Sequence, residues 1–363
     1  MTDLTKTTYS VAVVRGDGIG PEVTAEAIKV AVVAAAYEGV DLGFTDVDLG
    51  ADHFLESGHI MDEADLELMG ASDAVLLGAL GDPRVPPGIL ERGVIVAMRR
   101  HFRQAVNLRP VQLLRGVASP IRDATPESCD FVIVRENTEG LYAGGSSHAQ
   151  VGTEHAVAIQ TSITTHAATI DVMRYAFELA STRRGNLTVC HKMNILVDSG
   201  KIWSTVSEQL QAEFPDVTVS YAHADAMTLH MIQRPESLDV VVTDNLFGDI
   251  LSDLGAAIAG GLGTAASGNL NLDGASPSMF EPVHGSAPDI ARTGRANPAA
   301  AILSVAMMFD HLGLTRAAAA TRGAVNGALQ EFAEQDRPMR TSEFGDVAAE
   351  LARASWPSTT PSP

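Results

Sequence analysis

The chain has 363 residues and is acidic, with 25 Lys and Arg against 45 Asp and Glu and a formal charge of −20. Proteins that bind nucleic acids or anionic membranes neutralise phosphates with basic side chains, so this charge argues against both kinds of partner. Two cysteines, Cys129 and Cys190, and the lack of any uncharged apolar run of about 18 residues predict a reduced, cytoplasmic protein without a membrane span.

Short apolar runs alternate with helical patterns along the chain. Residues 11–15 (VAVVR) and 74–78 (AVLLG) predict buried strands, and helical patterns follow at 22–38 and 91–103. The alternation continues with strands at 131–134, 187–190 and 239–243, helices at 167–181, 200–213 and from about 248, and three helices between 298 and 354. This alternation predicts an α/β protein with a mostly parallel, buried sheet, and the length predicts two domains.

Two aspartates, Asp249 and Asp253, stand four residues apart in the segment GDILSDL (248–254). On a helix they share one face, where like charges repel unless a cation lies between them. Oxygen ligands without Cys or His suit Mg²⁺ or Mn²⁺. Taken alone, the pair fits a solvated acidic face or an acidic helix start better than a metal site.

Three arginines lie at the ends of predicted elements. Arg135 directly follows the strand 131–134, Arg109 lies in NLRP (107–110), and Arg99 lies in the helix 91–103. Guanidinium groups bind carboxylates in a bidentate manner, so the set indicates a small anionic substrate. The alternative for each arginine is an ordinary surface ion pair.

Two further polar residues are candidates for proton transfer. Lys192 follows the apolar strand 187–190, where burial would lower its pKa; otherwise it extends to solvent. Tyr142 lies in the glycine-flanked loop GLYAGG (140–145), where a phenol is suited to donate a proton to an enolate. The alternative for Tyr142 is a packing role in a turn.

A nucleotide site is indicated by a loop rather than by a glycine fingerprint. A partial G-x-G-x-x-G match at 261–266 lacks the surrounding strand–helix–strand unit, so the sequence does not predict a Rossmann fold. The loop EPVHGSAPD (281–289) combines His284, Gly285 and Ala287 with the carboxylate of Asp289. Such a carboxylate accepts ribose hydroxyls and repels a 2′-phosphate, although a plain surface loop is the alternative.

Seven segments, in this order, carry a family resemblance. They are GDGIGPEV (16–23), NLRP (107–110), VRENTEGLYAG (134–144), HKMN (191–194), HADAM (223–227), TDNLFGDILSDL (243–254) and MFEPVHGSAPDIA (279–291) with ANP (296–298). The chain resembles the β-decarboxylating dehydrogenases, the isocitrate/isopropylmalate dehydrogenase family. The resemblance implies the family's own two-domain fold with a largely parallel sheet. Residues 1–104 and 260–363 would form a cofactor-binding domain, and 105–259 a substrate, metal and dimerisation domain.

The resemblance also implies a role for each candidate residue. The Mg²⁺ or Mn²⁺ ligands are Asp225, Asp249 and Asp253. The catalytic residues are Tyr142, Lys192 and Asp225, and a homodimer partner would supply both Lys192 and Asp225. The arginines that bind substrate carboxylates are Arg99, Arg109 and Arg135. The residues that would contact NAD are Glu91, His284, Gly285, Ser286, Ala287, Asp289 and Asn297.

The implied reaction is NAD-dependent oxidation of a malate-type di- or tricarboxylate at its 2-hydroxyl, followed by decarboxylation. Glu91 and the apolar side chains of Val94, Ile95 and Ile195 predict a pocket for an alkyl substituent. This favours 3-isopropylmalate, converted to 4-methyl-2-oxopentanoate in leucine biosynthesis. The alternatives are D-malate or tartrate, isocitrate or homoisocitrate, and a malate of secondary metabolism. A non-catalytic regulatory homologue is a further alternative, although every candidate site residue is present.

Overall fold

Alternating strands and helices build the fold in the computed structural model, which describes residues 6–335 and 339–355. Ten strands form one mixed sheet in the order β2-β1-β3-β12-β11-β4-β5-β10-β8-β9. The strands of this sheet are β1 (Thr8–Gly16), β2 (Asp41–Asp46), β3 (Ala74–Ala79), β4 (Gln104–Gln112), β5 (Asp130–Glu136), β8 (Asn186–His191), β9 (Thr218–His223), β10 (Val240–Thr243), β11 (Ala266–Asn271) and β12 (Ser278–Pro282). The predicted α/β class with a largely parallel sheet is confirmed.

The sheet is parallel on both flanks and antiparallel at its centre. Strands β2, β1, β3 and β12 pair in parallel on one flank, and β5, β10, β8 and β9 do so on the other. Between them, β11 and β4 pair antiparallel with each other and with their outer neighbours. The two flanks therefore run in opposite directions and meet at β11 and β4.

Helices cover both faces of the sheet. They are α1 (Gly20–Ala35), α2 (Ala51–Ser57), α3 (Glu63–Gly70), α4 (Ala97–His101), α5 (His166–Thr182), α6 (Val197–Glu213), α7 (Ala224–Gln233), α8 (Asn245–Ile258), α9 (Ala299–His311), α10 (Thr315–Gln335) and α11 (Thr341–Ala354). Pro21 stands in the first turn of α1, where its missing N–H costs nothing. Helices α1, α9, α10 and α11 pack together through small alanines, and the three predicted C-terminal helices are confirmed.

The segment predicted as a helix over 91–103 has a different local form. Its first half, Glu91–Val96, is a π-helical turn, and only Ala97–His101 is α-helical. Gly93 lies in the π-helical turn, and the side chain of Ile60 approaches to 2.6 Å from the position that a Cβ at residue 93 would occupy. A local excess of one residue per turn shifts the side chains that follow onto new faces.

A small exposed hairpin projects from the main sheet. Its strands, β6 (Ser146–Ala149) and β7 (Val157–Gln160), pair antiparallel with each other, and all eight residues are exposed. Across residues 6–335 and 339–355, no helix has the length and hydropathy needed to cross a membrane.

The sheet is continuous across the two predicted domains. Strand β4, in the predicted segment 105–259, pairs with β11, in the predicted segment 260–363. The division into 1–104 plus 260–363 and 105–259 stays a prediction, and parts of both chain ends lie outside the described residues.

Candidate active site

Three arginines converge where the antiparallel centre of the sheet meets α4 and α8. Arg109 lies on β4 and Arg135 on the adjacent β5, and the register places Asn107 opposite Arg135. Arg99 lies in the last turn of α4. All three side chains are buried, at 7%, 7% and 1% exposure for Arg99, Arg109 and Arg135. A buried guanidinium needs acceptors on every side, so the neighbours of these groups define the site.

Arg109 is held by neutral acceptors as well as by charge. Its Nε donates to Asn107 Oδ1 at 2.5 Å, and its Nη1 donates to Ser252 Oγ at 2.5 Å. Its guanidinium also lies 3.7 Å from Asp249 Oδ1 and 3.9 Å from Asp253 Oδ1. Burial, followed by the positive charge of Arg135, lowers the pKa of Arg109 to about 9. Arg109 is therefore still charged at neutral pH, and an anionic ligand beside it would raise its pKa again.

Arg135 and Asp249 form the central ion pair of the site. Nη1 of Arg135 donates to Asp249 Oδ1, and its Nε and Nη2 donate to Asn245 Oδ1 at 3.0 and 2.8 Å. Burial alone would raise the pKa of Asp249, but the guanidinium groups of Arg135 and Arg109 outweigh it and hold that pKa below its usual value. Asp249 is therefore a carboxylate at neutral pH.

Tyr142 reaches the same carboxylate from its loop. Its Oη donates to Asp249 Oδ2 at 2.8 Å, and its ring centroid lies 5.3 Å from Cζ of Arg135. Burial raises the pKa of Tyr142, so the phenol keeps its proton at neutral pH. Arg100, the neighbour of Arg99 in the predicted helix 91–103, donates through Nη2 to the carbonyl of Tyr142 at 2.9 Å and holds this loop against α4.

The two aspartates of α8 lie on one side of the helix, as their spacing predicts. Helix α8 begins after Asp244, whose carboxylate accepts from the backbone N–H of Phe247 at 2.8 Å. Both Asp249 and Asp253 lie within 4 Å of the guanidinium of Arg109. Burial raises the pKa of Asp253, and within the described residues this carboxylate has only the long contact with Arg109, at 3.9 Å. Its oxygens are thus available to a hard divalent cation.

Lys192 and Asp225 form a second, separate group. Lys192 follows β8, Asp225 lies in the first turn of α7, and Lys192 Nζ donates to Asp225 Oδ1 at 2.5 Å. This hydrogen bond lowers the pKa of Asp225. Within the described part of the chain, no three His, Cys, Asp or Glu side chains assemble into a metal site. A single chain thus brings Asp249 and Asp253 together and leaves Asp225 with Lys192.

A cavity of 240 Å³ joins the arginines to the predicted nucleotide loop. Arg99 and Arg109 line it together with Glu91 and Ile95 of the π-helical turn. Its remaining walls are Leu77, Gly78, Ala79, Leu80, Glu281, Pro282, Val283, His284 and Gly285. The cavity therefore has a cationic side, an apolar side and an opening onto the loop after β12.

Two residues predicted to form the alkyl pocket lie elsewhere. Val94 is fully buried and packs in a core cluster with Leu77 and Met98, so its side chain does not line this cavity. Ile195 is 69% exposed and lines a different cavity, near the start of α6. Of the three apolar residues predicted for the pocket, only Ile95 reaches the 240 Å³ cavity of this chain.

The predicted nucleotide loop has features that fit a ligand. His284 is largely buried and its Nε2 has no hydrogen-bond partner, while an added Cβ at Gly285 would meet only open space. Burial lowers the pKa of His284, so the ring is neutral and can accept or donate a hydrogen bond. Asp289 is exposed, and Asn297 accepts from the N–H of Ala299 at 3.0 Å.

The same loop is fastened to the glycine-rich turn after β1. The carbonyl of Ser286 accepts from the N–H of Ile19 at 2.8 Å. Gly18 has φ +58°, and a Cβ there would lie 2.0 Å from that carbonyl oxygen. The buried carboxylate of Asp17 accepts from the N–H groups of Ala51 at 2.7 Å and Gly81 at 2.8 Å. The turn thus fixes the loops around the cavity mouth.

The sequence model of the isocitrate/isopropylmalate dehydrogenase family matches residues 10–352. The chain belongs to this family. A 3-isopropylmalate dehydrogenase of Corynebacterium kroppenstedtii is 51% identical to it over 335 residues, which are 92% of this chain and 96% of that protein. A 3-isopropylmalate dehydrogenase of Thermobifida fusca is 48% identical over 344 residues, covering 94% of this chain and 97% of that protein.

Two solved structures share the fold. The isocitrate dehydrogenase of Methylococcus capsulatus superposes with a TM-score of 0.85 and 33% identity, over 95% of this chain and 99% of that one. The TT0538 protein of Thermus thermophilus superposes with a TM-score of 0.83 and 31% identity, over 94% of this chain and 68% of that one. The predicted membership of this dehydrogenase family is therefore confirmed, together with its fold.

In this family member, a buried amide network that the sequence did not predict connects two of the arginines. Asn107 Nδ2 donates to Asn269 Oδ1 at 2.9 Å, and Asn269 Nδ2 donates to Glu281 Oε1 at 2.8 Å. Glu281 accepts from Arg99 Nη2 at 3.3 Å, while Asn107 accepts from Arg109. Glu281 and Asn107 lie in motifs that carry the family resemblance, and this was the sequence feature that could have identified them.

Proposed function

We propose that the chain is an NAD-dependent 3-isopropylmalate dehydrogenase that requires Mg²⁺ or Mn²⁺. The observation that carries the proposal is the 240 Å³ cavity, where two buried arginines face Ile95 and open onto the loop of His284. Carboxylates fit the cationic side and an alkyl substituent fits the apolar side. Relatives named 3-isopropylmalate dehydrogenase, at about half sequence identity, support the same choice.

The arginines hold the substrate carboxylates. Arg99 and Arg109 line the cavity, and Arg135 stands behind them against Asp249. Arg109 and Arg135 are buried and already fixed by neutral acceptors, and Arg99 is buried against Glu281, so little rotamer freedom is lost when a dicarboxylate binds. The carboxylate that leaves as carbon dioxide is held in place throughout by these fixed positive charges.

Asp249 and Asp253, with Asp225 of the partner subunit, would hold the divalent cation. These are hard oxygen donors, and the two on α8 face the same guanidinium. When bound, the cation supplies Lewis acidity that lowers the pKa of the substrate hydroxyl.

The chain's own residues move the protons. Lys192 of the partner subunit, paired with Asp225 as in this chain, accepts or relays the hydroxyl proton when C2 is oxidised. Tyr142 Oη, which keeps its proton at neutral pH, donates that proton to the carbon from which carbon dioxide leaves. Asp249, which accepts from Tyr142 at 2.8 Å, orients the phenol for this transfer.

The loop from His284 to Asn297 would hold NAD. The unpartnered Nε2 of His284 and the open space beside Gly285 leave room for an adenine and its ribose. Asp289 is exposed there, where a carboxylate favours ribose hydroxyls and disfavours a 2′-phosphate. When bound, NAD accepts the hydride from C2 of the substrate.

We also propose that the protein is a homodimer. Apolar side chains are exposed on the hairpin and on helices α7 and α8, as expected of a surface that a second copy covers. They include Val157, Ile159, Leu229, Ile232 and Ile250, each at least 46% exposed. We place the reaction in leucine biosynthesis and in the cytoplasm, where free thiols such as the buried Cys129 and Cys190 persist.

A substrate panel tests the proposed function. NADH formation with Mg²⁺ or Mn²⁺ should be fastest on 3-isopropylmalate and much slower on isocitrate, homoisocitrate, D-malate and tartrate. Equal or better kcat/KM on D-malate would refute the assignment of substrate while leaving the reaction class intact. No turnover on any member of the panel would refute the enzymatic function itself.

The apolar wall is tested by truncating Ile95. Ile95→Ala should lower the preference for 3-isopropylmalate over D-malate about 10- to 100-fold, because a lost hydrophobic contact removes binding to the alkyl group alone. Val94→Ala is the matched control, since Val94 lies in the core beside the cavity. It should lower the melting temperature and keep the substrate preference. The same loss of preference in both variants would contradict the placement of the wall.

A further inference from the structure

The hydroxyl of Tyr221 lies between the turn that carries Lys192 and the turn that carries Asp225. Tyr221 belongs to β9, which pairs in parallel with β8, so both turns leave the same edge of the sheet. Its Oη contacts the carbonyl of His191 at 3.0 Å and the backbone N–H of Met193 at 3.1 Å. Those two groups stand immediately on either side of Lys192.

The same hydroxyl also reaches the second turn. Tyr221 Oη lies 2.7 Å from Nδ1 of His223, and the two rings stand edge to face with centroids 5.0 Å apart. His223 directly precedes α7, and Asp225 lies in the first turn of that helix. One phenol therefore links the backbone around Lys192 to the start of the helix that carries its partner.

Hydrogen-bond accounting shows how all three contacts are satisfied at once. A phenol has one proton to donate and two lone pairs to accept with. The N–H of Met193 can only donate and the carbonyl of His191 can only accept, so Tyr221 donates to His191. His223 must then carry a proton on Nδ1 and donate it to Tyr221. In that arrangement all three contacts of the Tyr221 hydroxyl are hydrogen bonds with a donor and an acceptor.

We infer that Tyr221 is a positioning residue that fixes Lys192 against Asp225. The inference rests on the proposed function, in which these two residues relay the hydroxyl proton. The hydroxyl of Tyr221 contacts both turns, and its effect on Lys192 and Asp225 passes through these contacts. Because Lys192 Nζ and Asp225 Oδ1 are 2.5 Å apart, a small shift of either turn would lengthen the contact and misplace the ammonium group.

Tyr221→Phe tests the inference, since it removes the hydroxyl and keeps the ring. The N–H of Met193 then loses its acceptor, and its hydrogen exchange, measured by mass spectrometry of peptides spanning 191–196, should speed up about tenfold. With 3-isopropylmalate, kcat should fall about 10- to 100-fold while KM for substrate and for NAD stays within about twofold. A crystal structure of the variant should show Lys192 Nζ beyond hydrogen-bond distance of Asp225.

Tyr37→Phe is the matched control. Its hydroxyl also donates to a backbone carbonyl, that of Ala352 at 2.9 Å, but this contact joins the turn that follows α1 to α11. The control should leave kcat and the exchange of Met193 as in the wild type.

Three results would overturn the inference. These are unchanged exchange at Met193, unchanged kcat despite faster exchange, and a Lys192–Asp225 contact that persists in the variant. If the wild type forms no NADH on any malate, the proposed function fails, and the Lys192–Asp225 distance in the variant alone decides whether Tyr221 positions the pair.

Discussion

Tyr142 combines two properties that conflict on an isolated phenol. It lies beside a guanidinium, which favours phenolate, yet burial and the carboxylate of Asp249 keep it protonated. Burial is the larger influence, so the net effect is a raised pKa. A phenol that keeps its proton at neutral pH, although 37% of the residue is exposed, suits the role of proton donor proposed for Tyr142.

Tyr142→Phe should separate the two halves of the reaction. The variant keeps the ring over Arg135 and loses only the proton donor. In a single turnover, NADH should form at nearly the wild-type rate, while release of the protonated 2-oxo product slows about 100-fold. Stopped-flow absorbance and quenched-flow product analysis measure the two steps. Equal slowing of both steps would show that Tyr142 acts in binding instead.

Some of the buried hydrogen-bond acceptors around the arginines could not be predicted from the sequence. Arg109 and Arg135 could be singled out because they stand in recognisable motifs, and Arg99 because it lies in the predicted helix 91–103. Asn269 could not, since it lies 162 positions from Asn107 and meets it only through the antiparallel register of β11 and β4. A local pattern carries no information about such a contact.

The first turn of α8 joins a structural cap to a buried histidine. Asp244 caps the helix, and its Oδ2 lies 3.8 Å from Nε2 of His191, which is fully buried. Burial lowers the pKa of His191 to about 4 and raises that of Asp244 to about 6. The folded chain thus keeps His191 neutral where the unfolded chain would protonate it, and keeps Asp244 protonated where the unfolded chain would ionise it.

These shifts act on stability in opposite directions. In the unfolded chain His191 takes up a proton below about pH 6.5, whereas in the folded chain it does so only below about pH 4. The free energy of unfolding therefore falls as the pH drops from about 6.5 to about 4. Asp244 takes up a proton below about pH 6 in the folded chain but only near pH 3.8 in the unfolded chain. Its titration therefore raises the free energy of unfolding as the pH drops through this window. Between about pH 4 and 6 the two effects oppose each other.

Asp244→Asn should expose the contribution of His191. Asn caps helices as well as Asp does, so the cap survives and the titration is removed. The free energy of unfolding, measured in urea between pH 6.5 and 4, should then fall with acid by up to roughly 3 kcal/mol more than in the wild type. Adding His191→Gln should abolish the extra loss. A variant whose pH dependence matches the wild type would contradict the opposed pair.

In the turn after β1, glycine is required at position 18 both by the backbone angle and by the close approach of another backbone segment. Gly18 has φ +58° and lies against the carbonyl of Ser286, whereas Gly274 has φ +68° with nothing within 4 Å of an added Cβ. The two positions therefore separate the cost of a left-handed residue from the cost of a collision.

Gly18→Ala should destabilise far more than Gly274→Ala. We expect a loss of about 1 kcal/mol at Gly274, from the backbone angle alone, and at least about 3 kcal/mol at Gly18. The collision also displaces the loop of His284, so KM for NAD should rise in Gly18→Ala only. Urea unfolding and steady-state kinetics measure both effects. Similar losses at the two positions would show that the close approach is unimportant.

Element prediction succeeded for the most apolar strands and failed for the other strands of the sheet, including the two at its centre. The apolar strands β1, β3, β5, β8 and β10 were predicted, whereas β2, β4, β9, β11 and β12 were not. Strand β11 reads ASGNLN, yet all six of its residues are buried. Its polar side chains pair with those of β4 and β12, and hydropathy cannot detect a strand whose burial is made possible by partners far away in sequence.

At the scale of the whole molecule, the proposed site is divided between two chains. Lys192 and Asp225 pair with each other, and Tyr142, Asp249 and the arginines form their own cluster. In a symmetric dimer each site would take the first pair from one subunit and the second cluster from the other. The sequence motifs predicted both groups, and family resemblance alone suggested their distribution.

Mixing two inactive variants tests this division. Lys192→Ala and Asp249→Asn should each abolish turnover as purified dimers. After joint unfolding and refolding, half of the dimers are hybrids with one intact site in two, so activity should return to about 25% of the wild type. Mixing without subunit exchange is the control and should stay inactive. Failure of the refolded mixture to recover would place both groups in one subunit's site.

In the mixed sheet, strands that pair with each other are synthesised at widely separated times. Strand β3 is buried along its whole length, and its neighbour toward the centre of the sheet, β12, begins at Ser278, 199 residues after β3 ends at Ala79. A ribosome adding 5–20 residues per second needs roughly 10–40 s to make that stretch. Throughout this interval the nascent chain carries an apolar strand with one open edge, which is a template for pairing with other chains. Cells that make this protein must therefore shield its first hundred residues until its last quarter emerges.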